Sequence, residues 1–290
     1  RLNPPGDACL RWADFGRSAG FVPAAVVVGA QSLPPCVVGR SYFPCLTVFY
    51  AVDPHIHSWF HFYAQAFDAC LVRLKDHIPL FTGMRLPQDT VWWSPPFAKP
   101  EDVPLPPDPD KLLRDILFVG TVDPAINPER VAFMRELSAL EPRLQVMQGA
   151  YRELFPQAKI VLNHTAAGEL NTRVSEACGC VAGLVTPALL HGVAERCEYG
   201  REHFTYAQQD IKGLAALLKA LLAAPARRNK VAASGHAKIL AWHYMHHRAE
   251  TFAARIEHLY ATGKAGETVA ARRREDMAIR SSWLRLLYLH

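Results

Sequence analysis

The chain has 290 residues, half of them apolar and a fifth charged, a composition typical of an ordinary globular protein. Its net charge of +5 is too small to indicate a nucleic-acid-binding protein. No apolar run approaches the roughly 20 residues that span a bilayer, and the seven scattered cysteines contain no C-x-x-C pair. We therefore expect a cytoplasmic protein with free thiols and no transmembrane segment, and we leave peripheral contact with an anionic membrane surface open.

The first part of the chain alternates buried strands with short helices, which is typical of a parallel sheet covered on both faces. The predicted strands are 24–30, 45–51, 69–73 and 91–93, and the clearer helices are 57–67 and 76–81. A proline-rich stretch from Pro95 to Pro109 then interrupts the pattern. Because no strand is evident before Asp14, we expect a first domain over residues 1–105 that is shortened at its start.

The alternation restarts after the prolines and predicts a second domain over residues 106–262. Its predicted strands are 115–120, 143–147, 159–162, 181–185 and 204–206. Its predicted helices are 128–140, 151–155, 170–178, 210–223, 225–240 and 242–261. A basic, amphipathic tail over residues 263–290 follows.

The stretch from Asn163 to Cys180 is the most informative part of the second domain. It reads as the end of a strand, a loop of small and polar residues, and a helix that leads to the next strand. The N-terminus of such a helix has unpaired backbone N–H groups and the positive end of the helix dipole, which suit a phosphate. Glu176 lies about two turns into the helix, on a face that a ribose beside a diphosphate could reach. This pattern favours a nucleotide-sugar site.

Other nucleotide and hydrolase classes lack their motifs. The sequence has neither G-x-G-x-x-G nor G-x-x-x-x-G-K-[ST], so a dinucleotide-binding domain and a P-loop lose their main support. It has no G-x-S-x-G elbow either, which makes an α/β-hydrolase an unfavoured class.

The segment Leu170–Gly179, L-N-T-R-V-S-E-A-C-G, resembles the R-V-F-E-A-x-x-x-G segment of the group 1 glycosyltransferases with the GT-B fold. Within this family it is most similar to the spore-maturation, CgeB-like branch. Three further stretches agree with the family in order and spacing: Phe118–Gly120 with Asn127, Thr205–Tyr206 with Asp210, and His243–Tyr244 with Arg248.

The resemblance implies two Rossmann-like, doubly wound α/β domains that face a cleft, with the segment 263–290 crossing back to the first domain. It implies transfer of a sugar from a nucleotide-diphosphate sugar, with a UDP-sugar favoured, to an acceptor protein, lipid or glycan. The resemblance implies no essential metal, because the helix dipole, the amides of the glycine loop and Arg173 can offset the charge of the leaving diphosphate. It implies no cofactor, since the nucleotide sugar is a substrate. Two other functions stay open: a nucleotide-sugar isomerase of the 2-epimerase type, and a non-catalytic module that binds nucleotide sugars or proteins.

On the donor side, the resemblance assigns binding roles to Gly120, Thr121, Asn171, Arg173 and Glu176. Glu176 would accept two hydrogen bonds from the ribose hydroxyls, and Arg173 would meet the diphosphate. The alternatives are ordinary ones. Glu176 could be a solvated helix residue, Arg173 could pair with a neighbouring glutamate, and the glycine could only make a turn.

On the acceptor side, Asp53, His55 and His57 follow the predicted strand 45–51. A carboxylate or imidazole there could take the proton of an acceptor hydroxyl. Alternatively, Asp53 could cap a helix that begins near His55, and the histidines could pack or face water. Many retaining members of the family carry a pair of glutamates, and Gly168 stands where the first would be. The sequence thus leaves the stereochemistry open.

Overall fold

A computed structural model describes residues 11–30, 37, 39–83, 85–102, 114–165, 168–188, 192 and 198–274. The chain forms two compact units, residues 1–95 together with 249–290, and residues 96–248. These limits differ from the borders expected at 105 and 262. The backbone N–H of Ala98 donates to His243 O at 3.0 Å, which ties the start of the proline-rich stretch to the second unit.

The first unit contains, in its described residues, a four-stranded parallel sheet with the strand order β1-β2-β3-β4. The strands are β1 (Ala25–Gly29), β2 (Leu46–Ala51), β3 (Ala69–Val72) and β4 (Val91–Trp93). The helices between or before them are α1 (Trp12–Ala19), α2 (Phe60–Ala64) and α3 (Ile78–Phe81). Since all four strands are parallel, the segments that follow them emerge at one edge of the sheet.

Among the described residues, a hydrophobic core covers each face of this sheet. Phe49 packs in the cluster on one face, and Val48 packs on the other face with Ile256. Ile256 belongs to α9 (Met245–Ala261), which is followed by α10 (Lys264–Arg274). Arg272 of α10 is fully buried and forms an ion pair with Asp68. The described part of the predicted tail thus belongs to the first unit, and residues 275–290 lie outside the described residues.

The described residues of the second unit form a five-stranded parallel sheet with the strand order β6-β5-β7-β8-β9. Its strands are β5 (Arg114–Val119), β6 (Leu144–Met147), β7 (Ala158–Leu162), β8 (Gly183–Pro187) and β9 (Phe204–Tyr206). Its helices are α4 (Pro128–Leu140), α5 (Tyr151–Leu154), α6 (Thr172–Gly179), α7 (Ile211–Ala223) and α8 (Pro225–Trp242). The chain runs from β5 to β6 on one side and then returns to place β7 on the other side of β5. The strand order therefore reverses between β5 and β7.

Local capping explains why two of the helices begin where the sequence predicts. Asn127 accepts a hydrogen bond from the Arg130 N–H at 2.9 Å, and Pro128 occupies the first position of α4. Asp210 accepts from the Gly213 N–H at 2.8 Å at the start of α7.

The predicted α/β class with parallel sheets is confirmed. Within the described ranges, none of the helices has both the length and the apolar character needed to cross a bilayer.

Candidate functional site

The site lies where the strand order of the second sheet reverses. Gly120 follows β5 and Asn163 follows β7, and these strands are neighbours. In open α/β sheets, ligands bind at the carboxyl ends of the strands that flank such a reversal. The loops that begin at these two residues lead to α4 and α6, so the N-termini of both helices belong to the same region.

Arg173, in the first turn of α6, is fixed by one acceptor at the end of β5 and one directly after β7. Its Nη1 donates to Asn163 Oδ1 at 2.8 Å, and its Nη2 donates to Val119 O at 2.8 Å. Its guanidinium lies 4.7 Å from the centre of the Phe118 ring. Burial and the charge of Arg130 lower the pKa of Arg173 to about 10, so the side chain remains a cation at neutral pH.

Asn163 is the buried residue that orients two of the predicted donor-side residues. Its side-chain Nδ2 donates to Thr186 Oγ1 at 2.9 Å, which fixes its amide orientation. Its Oδ1 then accepts from Arg173 and, at 2.9 Å, from Asn171 Nδ2. The Tyr206 hydroxyl donates to the backbone oxygen of Asn163 at 2.9 Å. Asn163 was not assigned a role from the sequence, since nothing there shows this network.

Gly120 leaves the space that Arg173 occupies. A methyl group on Gly120 would lie 2.8 Å from Arg173 Nη2 and 3.2 Å from the Phe118 ring. A glycine at position 120 therefore allows the Arg173 guanidinium to approach the end of β5. Any turn that the glycine permits is an additional role.

Arg130 is a second cation at the site, and the sequence reasoning missed it. Its Nη1 donates to Thr121 O at 3.1 Å, and its Nε is buried without a partner among the described residues. Its guanidinium lies 5.9 Å from the centre of the Phe118 ring, which Arg173 also contacts, and its charge lowers the pKa of both Arg173 and His164. The Asn127–Pro128 cap places Arg130 in the first turn of α4, and this signal could have identified it.

His164 lies beside the two arginines as a neutral side chain. It is 5% exposed, and its ring centre is 4.3 Å from that of Phe133. Burial, followed by the charges of Arg130 and Arg173, lowers the pKa of His164 to about 4. Its Nδ1 has no hydrogen-bond partner in the described part of the chain. This nitrogen can therefore form a hydrogen bond to a ligand while the imidazole ring stays uncharged.

Glu176 lies one turn after Arg173 on α6 and is partly exposed. Its charge favours the protonated forms of Arg173 and of Tyr151, so it lies close enough to act on both. The Tyr151 hydroxyl donates to the buried Asp102 at 2.8 Å.

Asn171 also belongs to this region. Its Oδ1 is buried and accepts no hydrogen bond from the described residues. The structure thus brings the five predicted donor-side residues to one region, where their roles stay predictions.

The three predicted acceptor-side residues lie in the first unit, directly after β2. Asp53 is exposed, and its backbone oxygen accepts from the Ile56 N–H at 3.1 Å. The next helix, α2, has Trp59 at its N-cap and no capping side chain, so Asp53 does not cap it. His55 is half-buried with an unpartnered Nδ1 among the described residues, and the His57 ring centre lies 4.9 Å from that of Phe60.

Comparison with known proteins shows the fold and a partial match to one family. Residues 135–254 match the family described as glycosyl transferase-like. This range contains Asn163, His164, Arg173 and Glu176, and Arg130 lies just before it.

Solved structures with low sequence identity share the fold. Anabaena Alr3699/HepE, solved with UDP and glucose, is 14% identical with a TM-score of 0.55, over 74% of this chain and 72% of that chain. A glycosyltransferase from Rickettsia africae is 10% identical with a TM-score of 0.59, over 86% and 79%. Sucrose-phosphate synthase from Thermosynechococcus elongatus is 12% identical with a TM-score of 0.59, over 87% and 77%. The chain therefore has the GT-B fold. A search of the curated proteins finds no match.

Proposed function

We propose that this glycosyltransferase moves a sugar from a UDP-sugar to a hydroxyl group of an acceptor. The observation that carries the proposal is that the guanidinium groups of Arg130 and Arg173 both lie beside the Phe118 ring at the strand reversal, close to the neutral His164. Two cations that repel one another in a partly buried site are stabilised by an anion between them. A diphosphate supplies such an anion, and guanidinium groups bind phosphate oxygens through paired N–H donors.

Glu176 supports a nucleotide rather than an inorganic diphosphate. Its carboxylate lies about one helical turn beyond Arg173, where it can accept hydrogen bonds from the two ribose hydroxyls. UDP is favoured because a protein of the same fold has been solved with UDP and glucose. We place the chain in the CgeB-like branch and in the cytoplasm as parts of the same proposal.

The two arginines also support a transfer that needs no metal ion. As the bond between the sugar and the diphosphate breaks, negative charge develops on the leaving oxygen. Arg130 and Arg173 can stabilise this charge from fixed positions, and the helix N-termini add to the effect.

On the acceptor side, we propose that Asp53 is the general base of an inverting transfer, with His55 and His57 beside it. The acceptor oxygen forms a bond to the anomeric carbon, the bond to the diphosphate breaks, and the hydroxyl proton passes to the Asp53 carboxylate. The support is that Asp53 is exposed at the carboxyl end of β2 and makes no capping contact to α2.

Incubation of the full chain with a panel of UDP-sugars, without acceptor, tests the proposal. Release of UDP and an unchanged sugar are expected for a transferase, because water replaces the missing acceptor. A changed sugar that stays attached to UDP would instead show an isomerase, and binding without turnover would show a binding module.

The release of UDP should persist in excess EDTA. Loss of this activity in EDTA and its recovery by manganese or magnesium would contradict the metal-free step. Arg130→Gln should slow the hydrolysis that releases UDP from the UDP-sugar. Arg135→Gln removes an exposed charge from the same helix and should leave the rate of hydrolysis unchanged.

A further inference from the structure

Arg73, a cation without an ion-pair partner among the described residues, lies at the carboxyl edge of the first sheet. Arg73 follows β3, its backbone N–H donates to Ala51 O at 3.1 Å, and its backbone oxygen accepts from Trp93 Nε1 at 3.1 Å. The residue is thereby held between the ends of β2 and β4. Its position is set by the sheet and does not depend on a loop.

The guanidinium of Arg73 has unused hydrogen-bonding capacity. The side chain is partly buried, and its Nε is buried without a hydrogen-bond partner among the described residues. No ion pair of Arg73 occurs in that part of the chain. A buried N–H of a charged group that finds no acceptor is destabilising, so an acceptor from outside the protein would stabilise this residue.

Arg73 lies close to the proposed general base in the sheet register. Ala51 of β2 and Val72 of β3 are paired, so Arg73 lies level with the residue just before Asp53, on a strand about 4.8 Å away. His55 follows Asp53 by two residues, and its Nδ1 is also buried without a partner within the described ranges. Two unsatisfied nitrogen groups thus lie at the same edge of the sheet as an exposed carboxylate.

We propose that Arg73 binds an anionic group of the acceptor, a phosphate or a carboxylate, while an acceptor hydroxyl faces Asp53. The planar guanidinium donates two parallel hydrogen bonds to either anion, and His55 Nδ1 is available for another when it carries the ring proton. The inference rests on the proposed function, because it names the substrate class that the first unit selects. Acceptors without a negative charge should be bound weakly.

Calorimetry on the full chain saturated with UDP tests this inference, because UDP fills the cationic site of the second unit beforehand. The probes are glucose 6-phosphate, glucuronate and glucose, which carry a phosphate, a carboxylate and no charge. The wild type should bind at least one of the two anionic sugars about tenfold or more tightly than glucose, in the range of charged hydrogen bonds. The anion that shows the larger gain identifies the group that the site prefers.

Variants of Arg73 separate this site from general electrostatic attraction. Arg73→Gln should remove the preference for the anionic sugars, and Arg73→Lys should retain part of it. Arg17→Gln removes the same charge from α1 of the same unit and should leave the preference intact. Equal binding of all three sugars by the UDP-bound wild type would overturn this inference. An undiminished preference for the anionic sugars in Arg73→Gln, at unchanged thermal stability, would also overturn it. Neither result would contradict the proposed function. Failure of UDP to bind would overturn the proposed function and this inference with it.

Discussion

Gly120 and Arg173 are in such close contact that a methyl group at position 120 would lie 2.8 Å from Arg173 Nη2. The guanidinium cannot simply move aside, because it donates to Asn163 and to Val119 at 2.8 Å each. Position 120 therefore controls where the positive charge of Arg173 lies.

Gly120→Ala is expected to weaken UDP binding by roughly tenfold or more, the effect of losing about one hydrogen bond to a charged group. The methyl group displaces Arg173 from the end of β5 without touching the other side of the site. Calorimetric titration with UDP measures the change. Gly266→Ala is the control, since a methyl group there meets nothing within 4 Å. Equal affinities of Gly120→Ala and wild type would show that the position of Arg173 does not matter for the diphosphate.

Asp53→Asn is expected to lower turnover by about 100-fold or more, as the loss of a general base does. The amide keeps the size of the side chain but cannot take the acceptor proton. Affinity for UDP should stay unchanged, because the proposed donor residues lie in the second unit.

The melting temperature of Asp53→Asn decides between chemistry and structure. Asp53 is exposed and does not cap α2, so the variant should melt at the wild-type temperature. A lower melting temperature, with activity falling only in proportion to the folded fraction, would assign a structural role to Asp53.

Arg272→Met is expected to lower the free energy of unfolding by about 3–5 kcal/mol, because it leaves Asp68 as an uncompensated buried charge. Arg272 also donates to the backbone oxygens of Phe43 and Cys45, so α10 is fixed to the start of β2 through this residue. Chemical denaturation measures the loss. Arg273→Met, at an exposed position of α10, should change stability by less than about 0.5 kcal/mol, and a similar small effect at Arg272 would contradict the role of the ion pair.

Acidification should destabilise the second unit through His203. Burial lowers the pKa of His203 from 6.5 to about 4, so between these values the unfolded state binds a proton that the folded state does not. The free energy of unfolding should therefore fall with decreasing pH across this window, by about 1.4 kcal/mol per pH unit for this group. Denaturation of His203→Gln at a series of pH values should show a shallower slope. His258→Gln, at an exposed position of α9, should keep the wild-type slope, and an unchanged slope in His203→Gln would refute the assignment.

Much of the fold could be predicted because its strands are short apolar runs. Pro128–Leu140 and Phe204–Tyr206 have the predicted bounds, the first because the Asn127–Pro128 cap marks its start. Helix α1 was not predicted, since its eight residues mix polar and apolar side chains without a clear start. The border between the two units near residue 248 could not be predicted from the sequence either, because helix α9 continues across it.

The site was harder to predict than the fold. Glu176 and Arg173 stand in one recognisable segment, whereas Arg130 and Asn163 acquire their positions from the order of the strands. Only the placement of β5 beside β7 brings the two arginines together. The burial that makes His164 neutral likewise results from tertiary packing on Phe133.

Titration of the Glu176→Ala variant with UDP is the most direct test of the central claim, that the second unit binds a nucleotide diphosphate through Arg130, Arg173 and Glu176. The wild type should bind UDP, and the variant should bind it about 1.5–3 kcal/mol more weakly, the usual contribution of hydrogen bonding to a charged group. The fold should persist, since a partly exposed helix position tolerates alanine. Glu136→Ala, at an exposed position of α4, should bind UDP like the wild type. Unchanged affinity of Glu176→Ala for every nucleotide that the wild type binds would contradict the claim.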